Sequence, residues 1–270
     1  MLKQRLNSSL FLWVILLSIL WLFQWHAVAF FILLAAIGGI HELLQLFQAE
    51  ASLFRFNLLL NGTFLALFYF ASRYQYFSTD ILYVIAIALI CGWSIGIAQN
   101  ARAFFFSLFG FWYLTFNLHF FLKIAQLFSW DNTVGLFMIV WIVLITKATD
   151  IGGFCIGCSC GKHHFSTIVS PQKTLEGIGG GLLLAFLVHT GFYIVFHKNF
   201  PISFLTSSFF AILLSCGAIL SDLLESLLKR YQCVKDSGQT IPGIGGILDL
   251  IDSLLLNAPF AYFLFKCECG

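Results

Sequence analysis

A chain of 270 residues that is 60% hydrophobic and only 10% charged cannot cover a water-facing surface of ordinary size, since soluble domains carry about 25% charged residues. Composition therefore excludes an ordinary soluble protein and predicts an all-α polytopic membrane protein. A net charge of +2 is too small to argue for a nucleic-acid partner.

Lys3 and Arg5 precede the first apolar run, as in a signal peptide, but no small-residue cleavage site follows. The run reads as a retained first helix. Apolar runs of spanning or near-spanning length recur at about 9–25, 27–46, 53–72, 79–98, 104–123, 132–149, 178–196, 204–222 and 248–266. About eight or nine transmembrane helices are expected. The first two runs abut at Trp25-His26 and suggest a tight helical hairpin. Trp25, Tyr76, Trp130 and Tyr193 lie near run ends, where interfacial aromatics belong.

Nine spans with the N-terminus inside place Lys3, Arg5, Arg55, Arg102, Lys147, Lys162, Lys173, Lys229, Arg230 and Lys235 on the inner side. Arg73, Lys123, Lys198 and Lys266 fall on the outer side. Ten against four fits the positive-inside rule. The chain reads as a single integral membrane domain, 1–270, with N-terminal helices over 1–130 and the chemistry over 131–270. Two long polar loops, 150–177 and 223–247, lie on one side. A two-span hairpin separates them, so they are expected to meet at one membrane face.

The first loop contains Asp150-Ile151-Gly152-Gly153-Phe154 and, further on, Ser170-Pro171-Gln172-Lys173-Thr174-Leu175-Glu176-Gly177. Lys162 and Lys173 suit phosphates, and Asp150 suits a cation or polar ligand. Taken alone, the loop reads better as an ordinary positive-inside loop with glycine turns. Between these segments Cys155, Cys158, Cys160, His163 and His164 have partly the spacing of a zinc site. They crowd into ten residues with no distant pair to close a tetrahedron, and reduced thiols of no special role are the better reading. His26, His41, His119, His189 and His197 read as satisfied residues at or within spans.

The region 221–252 holds five of the twelve carboxylates and three of the fourteen basic residues. Ionisable groups between two spanning runs point to a functional site. Asp249 and Asp252 are i and i+3 at the start of the last span and share a helix face. Asp222 ends the preceding span, and a loop that folds back would bring it beside Asp249. Such carboxylates repel one another unless a cation lies between them, and hard ions such as Mg²⁺ take oxygen ligands of this kind. Singly, each Asp reads as a helix cap or a partner of Lys229, Arg230 or Lys235. As a group in so charge-poor a chain, they read as metal ligands. Pro242-Gly243-Ile244-Gly245-Gly246 gives a backbone able to approach a ligand closely, and a glycine turn opening a helix suits phosphate.

The string Ser226-x₂-Lys229-Arg230-x₄-Lys235-Asp236-x-Gly238-x₂-Ile241-Pro242-Gly243-x-Gly245-Gly246-x₂-Asp249-x₂-Asp252 resembles the signature of phosphatidate cytidylyltransferases. The Asp150 and Ser170–Gly177 segments look like that family's second motif block. The resemblance covers roughly the last 120 residues. It departs at Ile244, where the family usually has His, at Leu250, usually Arg, and at Ser221, usually Gly. The resemblance implies an active, divergent enzyme that joins CTP to phosphatidate, giving CDP-diacylglycerol and pyrophosphate. It implies Mg²⁺ on Asp222 and Asp249, with Asp252 and Asp236 as further ligand candidates, and a second cation such as K⁺. Lys229, Arg230, Lys235 and Lys173 would then stabilise the triphosphate and the leaving pyrophosphate. Asp150, Ser170, Thr174, Glu176, Gly243, Gly245 and Gly246 would complete the substrate site at the cytoplasmic face of the inner (plasma) membrane. A homodimer is compatible with it. A CTP-dependent lipid or polyprenol kinase would share these features. A transporter fits less well, because the charges gather at one face and no second copy of the block exists.

Overall fold

Long apolar segments in hydrocarbon must satisfy every backbone group internally, which leaves helix as the available form. The computed structural model describes residues 2–74, 78–128, 133–166, 170–234, 236–240 and 245–269. The side chains before Gln24 and those of Ser166, Pro171, Gln172, Asn199 and Cys269 are outside that description. The helices are α1 (Leu2–Leu46), α2 (Ala51–Tyr74), α3 (Thr79–Trp93), α4 (Ala101–Gly110), α5 (Asn117–Leu127), α6 (Val134–Cys160), α7 (Leu175–Phe196), α8 (Phe204–Tyr231), α9 (Ile247–Leu255) and α10 (Asn257–Cys269). A short antiparallel ribbon, β1 (His164–Ser166) with β2 (Ser170–Thr174), precedes α7.

Among the described residues, eight helical stretches are long and apolar enough to cross a membrane. They run Gln24–Leu46, Ala51–Tyr74, Thr79–Ala98, Ala101–Leu127, Val134–Cys160, Leu175–Phe196, Phe204–Tyr231 and Ile247–Glu268. Exposed Leu205 (82%), Ile95 (77%) and Val195 (70%) are side chains that only lipid would solvate favourably. The break expected at Trp25-His26 is at Gln24, whose φ of 46° and ψ of −118° interrupt α1. A π-helical segment at Phe111–Phe116 joins α4 to α5. There Asn117 Nδ2 donates to the Trp112 and Tyr113 carbonyls at 2.9 and 3.0 Å, using the acceptors that a widened turn frees.

The chain forms two compact units. One comprises 1–126 with 236–251, the other 127–235 with 252–270. In the first, Ile40, Leu43, Leu44, Phe68, Ile90 and Leu114 are buried. Polar pairs tie its helices: Asn57 Nδ2 donates to Ser107 Oγ at 2.9 Å and Thr115 Oγ1 to Asn61 Oδ1 at 2.6 Å. The second is built on Trp141, Met138, Ile142, Leu214 and Phe265. Its indole Trp141 Nε1 donates to His189 Nδ1 at 3.2 Å.

The polar loops are shorter than expected. Helix α6 runs on to Cys160 and α8 to Tyr231, so the stretches taken as loop from 150 and from 223 begin as helix. Close backbone packing explains the first extension. A Cβ at Gly152 would lie 2.6 Å from the Gly180 carbonyl oxygen, and one at Gly181 2.7 Å from that of Thr149. Small residues that let membrane helices approach this closely stabilise them by dispersion and backbone contact. Glycines 152, 153 and 157 thus serve a helix interface with 177, 180 and 181 rather than turns.

Candidate active site

In the second unit, α8 carries Asp222, Glu225 and Lys229 at i, i+3 and i+7, one face of a helix. Asp252, from α9, joins them: carboxylate oxygens of Asp222, Glu225 and Asp252 all lie within 4.8 Å of one another. Glu225 and Asp252 are buried and Asp222 is half-buried. Three carboxylates held so close repel one another strongly unless cations intervene. An all-oxygen set of this kind fits a hard divalent ion such as Mg²⁺. Among the described residues, no comparable grouping includes Cys155, Cys158 or Cys160, which are exposed free thiols.

Lysines surround this group. Lys173, at the end of β2, places Nζ 2.7 Å from Asp222 Oδ2. Lys229 Nζ lies 2.5 Å from Glu225 Oε2. Lys147, on α6, contacts Asp150 Oδ2 at 3.1 Å and donates to Ser253 Oγ at 3.0 Å. Ser253 Oγ in turn donates to Asp150 Oδ2 at 2.9 Å. The Ser253 backbone N–H donates to Asp252 Oδ1 at 2.5 Å. Lys173 of the first polar segment thus meets Asp222, the residue before the second segment as the sequence bounds it.

Ser221 has a distinct task. Its Oγ donates to the Asp252 carbonyl and accepts from the Leu256 N–H at 3.3 Å. Those two groups would bond to each other in an unbroken helix, so the hydroxyl is inserted into the ladder where α9 gives way to α10. A side chain inserted in this way is a recognised cause of helix kinks. The usual family Gly could not make this bridge.

The ribbon is organised by its own residues. Thr174 caps α7, its Oγ1 accepting from the Gly177 N–H at 3.1 Å. Glu176 accepts from the Lys162 and His163 N–H groups at 3.1 and 3.2 Å, and pairs with His163 Nδ1 at 2.6 Å. Ser170 is half-buried on β2. Arg230 is exposed and donates to the Val234 carbonyl at 3.2 Å.

In the first unit, Asp249 accepts from the Ser237 N–H at 3.1 Å and the Gly246 N–H at 2.7 Å. Gly245 has φ +122°, and a Cβ there would lie 2.7 Å from Asp249 Oδ2. Asp236 is exposed. Lys235 and Gly243, with Pro242 and Ile244, lie outside the described residues. Glu42 on α1, 1% exposed, accepts from four groups of the 236–248 segment. Ser237 Oγ and Thr240 Oγ1 donate at 3.2 and 2.6 Å, and the Ile247 and Leu248 N–H groups both at 2.8 Å.

Sequence reasoning passed over Glu225, Lys147 and Glu42. Glu225 was legible as i+3 from Asp222. Glu42 is a carboxylate inside the apolar run 27–46, a signal by its cost alone. Of the scattered histidines, His26 meets Tyr69 Oη at 2.8 Å, as a satisfied residue would, whereas His119 meets Tyr83 Oη through Nδ1 at 2.5 Å and its buried Nε2 has no hydrogen-bond partner among the described residues.

A model of the cytidylyltransferase family matches residues 3–268. The phosphatidate cytidylyltransferase of Haemophilus influenzae is 33% identical over 289 aligned positions, covering 98% of this chain and 99% of the relative. That of Bacillus subtilis is 39% identical over 152 positions, 56% of this chain and 54% of the relative. That of Thermotoga maritima is 37% identical over 158 positions, 57% and 56%. The chain thus spans about half the length of the last two relatives and nearly all of the first.

Proposed function

The chain belongs to the cytidylyltransferase family, and from that premise we propose that it is a phosphatidate cytidylyltransferase of phospholipid biosynthesis. A phosphate oxygen of phosphatidate attacks the α-phosphorus of CTP. The new P–O bond forms as the bond to the β-bridging oxygen breaks, and pyrophosphate leaves. The observation that carries this reading is the Asp222–Glu225–Asp252 group with Lys173 and Lys229 against it.

Nucleotidyl transfer asks little covalent help of a protein; it needs positioning and neutralisation of charge. The attacking phosphate is already a nucleophile, so no strong general base is required. Mg²⁺ supplies neutralisation at the triphosphate when bound, held by Asp222, Glu225 and Asp252. The resemblance adds Asp249 as a ligand, and a second cation such as K⁺. Lys173 and Lys229 are the groups that turn to phosphate oxygens, and Lys147 holds Asp150 and Ser253 in place. Arg230, exposed near the end of α8, extends the polar site toward water, and the resemblance adds Lys235 and Asp236. The site faces the cytoplasm at the inner membrane, where CTP is available and the lipid headgroup sits at the interface.

The test is purified protein with labelled CTP and phosphatidate, with and without Mg²⁺. Metal-dependent CDP-diacylglycerol and pyrophosphate are expected. Release of CDP with a newly phosphorylated lipid would replace this reading with a CTP-dependent lipid kinase.

A further inference from the structure

Glu42 sits in a membrane-crossing stretch, where an ionisable side chain is expensive and calls for a purpose. Its two carboxylate oxygens share four donors, all from one segment some two hundred residues further along the chain. Oε1 takes the Thr240 hydroxyl and the Ile247 N–H; Oε2 takes the Ser237 hydroxyl and the Leu248 N–H. The last two residues named, Ile247 and Leu248, open α9. A carboxylate at a helix start satisfies orphan amides and complements the helix dipole.

The glycines of the segment fit the same purpose. A Cβ at Gly238 would lie 2.6 Å from Glu42 Oε1, and one at Gly246 would collide with Glu42 Oε2. On α1, one turn before Glu42, a Cβ at Gly38 would collide with Ile247. These positions lack side chains because the chain's own carboxylate and the α9 start occupy the space. Gly246, which reads in sequence as part of a turn suited to phosphate, forms with Gly238 a cradle for Glu42.

We propose that Glu42 is a positioning residue: it fixes where α9 begins and thereby places Asp249, the carboxylate that α9 carries in the first unit. The inference rests on the cytidylyltransferase reading above for its catalytic consequence, but the clamp itself does not.

The experiment uses full-length protein in detergent with Glu42→Gln and, as a milder change, Thr240→Val. Amide hydrogen exchange over 245–252 is followed without nucleotide or metal. Loss of charge-assisted bonds should speed exchange at the α9 start about tenfold or more in Glu42→Gln. The Mg²⁺ concentration giving half-maximal CDP-diacylglycerol synthesis should rise about tenfold in Glu42→Gln and two- to threefold in Thr240→Val. The KM for phosphatidate should stay within about twofold, since Glu42 is assigned no lipid contact. A lower kcat with unchanged Mg²⁺ half-saturation would reduce Glu42 to a structural anchor and overturn the proposal. Unchanged exchange would overturn the clamp. If Glu42→Gln fails to fold, Thr240→Val decides by the same two readouts. A wild-type protein that makes no CDP-diacylglycerol would sink the functional reading, while the exchange result would still decide the clamp.

Discussion

At the scale of single residues, the site is a balance of close opposite charges, and each change has a direction. Asp222→Asn removes a proposed metal ligand together with the partner of Lys173. CDP-diacylglycerol synthesis should fall by about a hundredfold or more while membrane insertion is unaffected, a loss of about 3 kcal/mol of transition-state stabilisation. Glu225→Gln should instead raise the Mg²⁺ requirement, read as a right-shifted metal titration with a recoverable maximal rate. Lys147→Met leaves Asp150 facing Ser253 alone. With Lys147 and Asp150 side chains 20% and 34% exposed, solvent softens the penalty to about 1–3 kcal/mol, visible as a lower thermal midpoint in detergent. The sequence made Asp222 and Asp252 legible because charge is rare in this chain. Lys147 was legible only as one more inner-side cation, because its value lies in which side chains α6 turns it toward.

At the scale of elements, two helix contacts shape the site. The α6–α7 pair is joined through glycines, and Gly181→Ala would push a methyl to 2.7 Å from the Thr149 carbonyl oxygen. Overpacking of this kind costs about 1–3 kcal/mol. Because α7 follows directly on the ribbon carrying Lys173, activity should fall along with stability. Ser221→Ala would strand both the Leu256 N–H and the Asp252 carbonyl at the α9–α10 junction. A loss of about 1–3 kcal/mol is expected, measurable by thermal unfolding, with Ser221→Thr retaining more of the wild-type midpoint. Span positions were legible because bilayer thickness sets their length. The polar continuations of α6 to Cys160 and α8 to Tyr231 were not, since a helix leaving the hydrocarbon no longer has hydropathy to mark it. Gly152, Gly153 and Gly157 look like turn residues until the facing Gly177, Gly180 and Gly181 are seen.

At the scale of the whole molecule, the charge distribution predicts an orientation. Cys233, just after α8, and Cys267, near the end of the last spanning stretch, Ile247–Glu268, are both exposed, with nearly all of that stretch between them in the chain. In single-cysteine variants, a membrane-impermeant maleimide should label Cys233 only from the cytoplasmic side and Cys267 only from the other; the reverse pattern would invert the topology. This predicted orientation rests on lysine and arginine counts. The role of Glu42 was not legible in the sequence, because no local pattern links residue 42 to residues 237–248. That long separation matters for biogenesis. Glu42 leaves the ribosome 195 residues before Ser237, an interval of roughly 10–40 s at ordinary rates of synthesis. Throughout it the nascent first spans hold an acid whose four donors have not yet been made. Until the end of the chain arrives, that carboxylate has to be hydrated, shielded or protonated. A chain cut short before residue 236 would keep that acid while lacking all four of these donors.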